Sequence, residues 1–319
     1  MSFPRLLADI GGTNARFAML YAGRSMPSEV AVLPCNEHAS LLDAICGYLA
    51  QHTLVAPRWC SIGIATSVTG DWVSMTNHPW SFSINELKTS LALERLIVIN
   101  DFTALALALP SLRESELRAI GPGAALPHAT KAVIGPGTGL GVAGLISSGG
   151  SYVPVVGEGG HVTLAATSEA EEAVLARLRQ RFGHASGERA LSGPGLVNLY
   201  VACCEEAGRT PAALEAQQIS NRALNDEDPL CRKAVDLFFA FLGTTAGNLA
   251  LTLGAFGGVY IGGGVVPRLL PLMESSAFRA RFEAKGRFAS FLGRIPTWVI
   301  ESEFPPALIG AARALDNPP

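Results

Sequence analysis

The sequence predicts an α/β chain made of two domains built on one plan. Three observations point there. A chain of 319 residues is too long for one small core and suits two domains of about 100–200 residues each. Hydrophobic residues make up 49% and charged residues 16%, which supplies a large buried core and excludes a disordered chain. One pattern, a short apolar strand running into a glycine turn with a Thr, occurs twice, around Thr13 and around Thr138.

The first occurrence opens the chain. Leu6-Leu7-Ala8 runs into Asp9-Ile10-Gly11-Gly12-Thr13-Asn14, and Arg16–Leu20 follows, which reads as a β-hairpin. Val30–Leu33 adds a third strand. Ser40–Leu49 reads as a helix, with Leu41, Leu42, Ile45 and Leu49 at helical spacing. Ser61–Ala65 and Leu96–Ile99 read as buried strands. Asn100-Asp101 then opens an apolar helix that Pro110 ends.

The pattern restarts at Ala132–Ile134, passes through Gly135–Gly139 and continues as strand Val142–Ile146. Tyr152–Val156 is its third strand and Ser168–Arg181 its helix. From Gly193 to about Leu253 the chain reads as mostly helical. A strand Gly258–Ile261, the turn Gly262–Gly264 and a last strand Thr297–Ile300 follow. Pro305–Leu315 is Ala-rich and reads as a helix returning to the first domain. The expected division is a small domain, residues 1–110 plus about 302–319, and a large domain, 111–301. No low-complexity linker separates them, so a hinge is expected rather than a tether. Two such units facing each other would form a cleft with a glycine hairpin on each wall.

Composition excludes several classes. A net charge of −3 gives no electrostatic case for nucleic acid. The six cysteines form no C-x-x-C pair, so neither a zinc site nor a disulfide framework is expected, and reduced thiols in a cytosol fit best. Met1–Ala8 lacks the long apolar run of a secretion signal. Leu237–Pro267 has no charged residue and is long enough to span a bilayer, but its glycines and polar residues favour a buried helix, a strand and a turn.

Glycine turns suit phosphate because backbone N–H groups can point at the oxygens. Asp9 beside such a turn would repel phosphate unless a cation intervenes, and Mg²⁺ with its waters is the natural go-between. The plain alternative is a hairpin turn. Gly139, Gly141 and Gly144 satisfy G-x-G-x-x-G, but a dinucleotide fingerprint must open a helix, and here a strand continues. Asn100-Asp101 is either a helix cap or a carboxylate kept ionised at a helix N-terminus to accept an alcohol proton. Gly157-Glu158-Gly159-Gly160-His161 is either an exposed turn or a pair of sugar-hydroxyl ligands. Glu188 alone reads as a loop glutamate.

Taken together, Asp9–Arg16, Thr69–His78, Ile99–Ala104, Gly137–Gly141, Gly157–His161, Leu191–Tyr200 and Gly262–Arg268 closely resemble the bacterial ATP-dependent glucokinase family. That family is hexokinase-like and lacks the cysteine zinc motif of repressor-type sugar kinases, as does this chain. The resemblance spans nearly the whole chain in order. It implies two α/β domains of the actin/hexokinase (ribonuclease H-like) superfold closing over glucose, and a cytoplasmic homodimer that transfers the γ-phosphoryl group of MgATP to the 6-hydroxyl of D-glucose, the first step of glycolysis. It implies Asp101 as the base. Asn100, Asp101, Glu158, His161 and Glu188, with Gly139 among them, would bind sugar. Asp9, Gly11, Gly12, Thr13, Asn14, Gly137 and Thr138 would serve the ATP phosphates, and Gly262, Gly263 and Gly264 the adenosine side. Mg²⁺ would be held by phosphates and water, with Asp9 nearby. Ser67, Pro136, Thr244–Ala246 and Ala307 depart from the family pattern, none at a catalytic position.

Two rivals remain at this stage. A sugar-sensing regulator on the same fold would be expected to lose Asp101 or to carry a DNA-binding helix-turn-helix, for which the N-terminus leaves no room before the first strand. A nicotinamide-dependent oxidoreductase is disfavoured by the strand that follows Gly141.

Overall fold

The computed structural model describes residues 2–52 and 55–317. The expected domain ends at 1 and 318–319 lie outside the described residues. In chain order the strands and helices are β1 (Arg5–Ile10), β2 (Asn14–Leu20), β3 (Ser28–Pro34), α1 (Leu41–His52), β4 (Trp59–Ile64), β5 (Trp72–Ser74), β6 (Ser81–Ser83), α2 (Ile84–Ser90), β7 (Arg95–Asn100), α3 (Asp101–Ala108), β8 (Leu117–Ala119), β9 (Lys131–Pro136), β10 (Leu140–Ser148), β11 (Ser151–Val155), α4 (Glu169–Phe182), α5 (Gly193–Glu206), α6 (Ala216–Leu224), α7 (Pro229–Leu253), β12 (Val259–Ile261), α8 (Leu270–Glu274), α9 (Phe278–Glu283), α10 (Ala289–Leu292), β13 (Thr297–Ile300) and α11 (Pro306–Asp316). The chain divides into two compact units. The first holds Met1–Glu114, Ser148–Val156 and Ser302–Pro319, and the second Ser115–Ser147 and Gly157–Glu301.

In the first unit the sheet order is β3-β2-β1-β4-β7. The hairpin β1–β2 is antiparallel, and β4 and β7 run parallel to β1. Side chains alternate between the two faces with period two. Leu6, Ala8 and Ile10 pack with Ile45 and Tyr48 of α1 on one face. Leu7, Ala18 and Leu20 pack with Leu308, Ala311 and Leu315 of α11 on the other. The returning C-terminal helix is therefore part of this unit's core. Its last turn is pinned by the buried Arg5, whose guanidinium donates to Asp316 Oδ1 at 2.7 Å. Strand β11 belongs to this unit and lies by α3. A small hairpin, β5–β6, follows the C-terminal end of β4.

The second unit repeats the plan. Hairpin β9–β10 is antiparallel, and β12 and β13 run parallel to β9, in the order β10-β9-β12-β13-β8. Its helices are punctuated as their sequences require. Ser168 caps α4 and Ser192 caps α5. Asp228 caps α7, accepting from Leu230 N at 2.8 Å, Pro229 takes the first helical position, and Gly254 ends the helix in the left-handed conformation. Helix α7 carries Phe238, Phe239, Phe241 and Leu242 into a core shared with α5 and α9. Among the described residues it is the one helix long and apolar enough to cross a membrane, and most of that apolar stretch is buried within its own unit.

Two helices of the first unit, α3 and α11, touch backbone to backbone. A Cβ on Gly310 would overlap the carbonyl oxygen of Ala104. Helix propensity alone favours Ala over Gly by about 1 kcal/mol, but this overlap forces the helices apart. Gly310→Ala should therefore destabilise the protein by at least about 1–3 kcal/mol, the usual cost of overpacking. A urea midpoint equal to or above that of the wild type would contradict the contact.

Candidate functional site

The first glycine turn joins β1 to β2. Its backbone is closed by Gly11 N donating to Asn14 O at 2.9 Å, and it is tied sideways by Cys35 N donating to Thr13 O at 2.9 Å. Antiparallel register places Asp9 opposite Arg16. The Arg16 guanidinium donates to Asp9 Oδ2 at 3.2 Å. Burial pushes the Asp9 carboxyl above its ordinary value, and the Arg16 charge opposes that shift without cancelling it.

The same unit holds Asn100 and Asp101 at the junction of β7 and α3. Asn100 is the N-cap, its Oδ1 accepting from Phe102 N at 2.9 Å and Thr103 N at 3.3 Å. Its amide Nδ2 donates to Thr66 O at 3.3 Å. Capping thus falls chiefly to Asn100, whereas Asp101 occupies the first helical position and accepts from Phe102 N at 2.9 Å. Asp101 is half-buried there.

In the second unit, Gly137 N donates to Gly139 O at 2.8 Å and closes the β9–β10 turn, while Gly137 O accepts from Gly193 N at 2.8 Å. Glu188 leans on this turn. Its Oε2 accepts from Leu140 N at 3.0 Å and fills the space a Cβ of Gly139 would need. The Glu188 backbone N–H donates to Gly160 O at 2.8 Å, and His161 N donates to Glu158 O at 3.0 Å. Gly139, Glu158, His161 and Glu188, spread along the sequence, are thereby connected within one unit. Glu158 and His161 are exposed, whereas Glu188 is half-buried. The Gly262–Gly264 turn is held beside the β9–β10 turn, with Gly262 N on Ile134 O at 2.9 Å and Val265 N on Pro136 O at 3.2 Å. Gly141 and Gly144 lie inside strand β10, so no helix opens on the G-x-G-x-x-G spacing and the dinucleotide reading fails.

These two turns border a pocket of about 770 Å³ within the second unit. Gly137, Thr138 and Gly264 line it. So do Asn198 of α5, Gln217 and Ser220 of α6, the apolar Leu214, and Arg268. Such a volume suits a small-molecule or cofactor ligand. No separate role for these last residues is legible from sequence. Asn198 lies in the motif Leu191–Tyr200 and Arg268 in Gly262–Arg268, but the fold-back of α6 onto α5 has no local signal.

The glucokinase family model matches residues 6–318 of the chain. The chain belongs to the glucokinase family. It is 54% identical over 317 residues to the glucokinase of Aromatoleum aromaticum, covering 99% of this chain and 96% of that protein. Among solved structures it resembles a glucokinase from an Antarctic psychrotroph, with a TM-score of 0.89, 37% identity and coverage of 99% of this chain and 100% of that one. It shares the fold of a Balamuthia mandrillaris glucokinase solved with glucose, at a TM-score of 0.83 and 23% identity over 98% of this chain and 93% of that one. The α/β architecture is accordingly the actin/hexokinase-like fold that the motifs implied.

The glucokinase-family turn at Asp9 yields a pH prediction. Its carboxyl is raised above the ordinary 3.8 mainly by burial. The folded state therefore holds the proton more tightly than the unfolded chain. The stability this contributes is complete below the ordinary value and is lost as pH rises through the raised one. Asp9→Asn does not titrate. The melting temperature of the wild type relative to that of Asp9→Asn should fall as pH rises from about 4 and then level off. A difference that grows in favour of the wild type would mean that Arg16 outweighs burial.

Proposed function

We propose that the protein is an ATP-dependent glucokinase that transfers the γ-phosphoryl group of MgATP to the 6-hydroxyl of D-glucose, giving glucose 6-phosphate and ADP. The observation that carries the mechanism is the placement of Asp101 in the first turn of α3, directly after the Asn100 cap. Asp101 accepts the 6-hydroxyl proton as the oxygen attacks the γ-phosphorus, and the bond to the β-phosphate oxygen breaks to release ADP. Such catalysis is mostly positioning and charge stabilisation. Asn100, Glu158, His161 and Glu188, with the backbone at Gly139, hold the sugar hydroxyls. Glu188 is best pre-set for this, because the Leu140 N–H already fixes one of its oxygens.

Gly11–Asn14 and Gly137–Thr138 present backbone to the phosphates. The pocket beside Gly137 and Gly262–Gly264 has the size and mixed lining for the nucleoside. Among the described residues no three His, Cys, Asp or Glu side chains converge as a metal site. The donor set near the first turn is one carboxylate, Asp9, already paired with Arg16. That fits Mg²⁺ held by nucleotide phosphates and water, with Asp9 at its outer side, better than a protein cage. When bound, the ion would neutralise charge on the β- and γ-phosphates. Family membership also supports a cytoplasmic homodimer acting at the first step of glycolysis, and sedimentation tests the dimer.

Following ADP with MgATP and a panel of hexoses and donors tests the reaction, and no turnover with glucose would refute it. Asp101→Asn should fold with a near-normal melting temperature, since Asn100 keeps the cap, and should bind glucose while losing about 10²–10⁴-fold in kcat. A kcat within a few-fold of wild type would remove Asp101 from the chemistry. Glu158→Gln and His161→Ala should each raise the glucose KM with little change in ATP affinity. Unchanged sugar affinity in both would place the sugar ligands elsewhere.

A further inference from the structure

The segment Thr69–His78 is part of the family resemblance, yet nothing above gives it a role. In the first unit it holds β5 and most of the loop that leads to β6. That loop is firmly anchored. Met75 N donates to Trp80 O at 3.0 Å, and the buried Trp80 sends its indole N–H to His38 O at 3.1 Å. The His78 ring stands edge-on against Trp80 with centroids 4.7 Å apart. At the tip, Thr76 and Asn77 are exposed.

Two contacts fix where that tip lies. Asn77 abuts the first glycine turn so closely that a Cβ on Gly12 would stand 3.1 Å from Asn77 Cβ and 3.3 Å from the Asn77 carbonyl oxygen. The Thr76 hydroxyl is 3.3 Å from the Thr66 hydroxyl, which also donates to Ser74 O at 2.9 Å. Thr66 O is in turn the acceptor for the Asn100 side-chain amide. The tip is thus tied to the phosphate turn on one side and, through Thr66, to the cap next to Asp101 on the other. Among the described residues the Asn77 carboxamide makes no hydrogen bond. A rigidly mounted, unengaged amide beside a glycine turn is a donor waiting for an oxygen ligand.

We propose that Asn77 is a further catalytic residue whose side-chain amide N–H donates to an oxygen of the nucleotide's terminal phosphates at the Gly11–Asn14 turn. The proposal rests on the reading of that turn as a phosphate site. It also explains why position 12 is glycine: any side chain would displace the loop that carries the donor.

The test compares Asn77→Ala and Asn77→Asp by steady-state kinetics with MgATP and glucose. Asn77→Ala removes a hydrogen bond to a charged group and should lower kcat/KM for ATP by about 10-fold or more. Asn77→Asp keeps the shape but turns donor into anion. It should lose at least about 10-fold further, and part of that extra loss should return at high salt, because screening weakens the repulsion. Glucose affinity and melting temperature should stay near wild type in both. A purely packing role would make the two variants alike or make Asp the milder change, and either result overturns the proposal. So does a kcat/KM within two-fold of wild type in both variants while the wild type is active. A wild type that makes no ADP would instead overturn the phosphate reading of the turn, and this inference with it.

Discussion

The depth at which α3 lies on its sheet governs the first unit. That helix is held between two backbones. Beside it, α11, which packs on the same sheet, approaches so that Gly310 faces the Ala104 carbonyl with no room for a side chain. Below it, β4 offers Gly63, where a Cβ would stand 3.1 Å from Ala104 Cβ and 3.6 Å from Asp101 Cα. A side chain on either would displace α3 and carry Asp101 with it. The end of the chain therefore helps to place a residue near position 100. Leu308, Ala311 and Leu315 hold α11 down through apolar burial, and the Arg5–Asp316 ion pair holds its last turn.

The second unit uses a different device for its acidic group. Glu188 is oriented by a hydrogen bond rather than by helix packing. Its Oε2 is fixed on Leu140 N, and its backbone is pinned at both ends by Gly160 O and by the Ser192 hydroxyl. A half-buried carboxylate so held has lost its rotamer freedom before any ligand arrives, which lowers the entropy cost of binding. Glu158 and His161 lack such a tether and sit on an exposed glycine-rich turn. Of these three side chains, Glu188 is therefore the one fixed in advance.

Much of the fold was legible because apolar alternation and helical periodicity are local signals. The hairpin Leu6–Leu20, the strand Thr297–Ile300 and the helix ending at Leu253 stand close to where the pattern put them. The hairpin β5–β6 escaped because strands of three residues carry no period, and α6 because its helical pattern sat unmarked within a longer helical stretch. The site was legible only in part. Asn100-Asp101 could be read as cap or base, and only coordinates assign the cap to Asn100. Glu188 carried no local signal at all, since its meaning comes from Leu140 and Gly139, far away in sequence. Arg16 was visible beside the glycine turn, but its pairing with Asp9 needed the hairpin register.

The two hairpins share a plan but not a chemistry, and register shows where they part. In the first, the pair next to the turn is Ile10 with Ala15, and the pair beyond it is Asp9 with Arg16. In the second, the corresponding pairs are Pro136 with Leu140 and Gly135 with Gly141. Where one hairpin carries an acid and a base, the other carries two glycines. The first turn therefore carries a charged pair of its own, while the second offers backbone and the Thr138 hydroxyl, with Glu188 reaching it from elsewhere in the chain. Glycine at 135 and 141 leaves the second hairpin's own strands without a charged pair, and the carboxylate beside its turn, Glu188, is not part of the hairpin. Within the two hairpins the acid stands on one copy only, where the Arg16 charge opposes the effect of its burial.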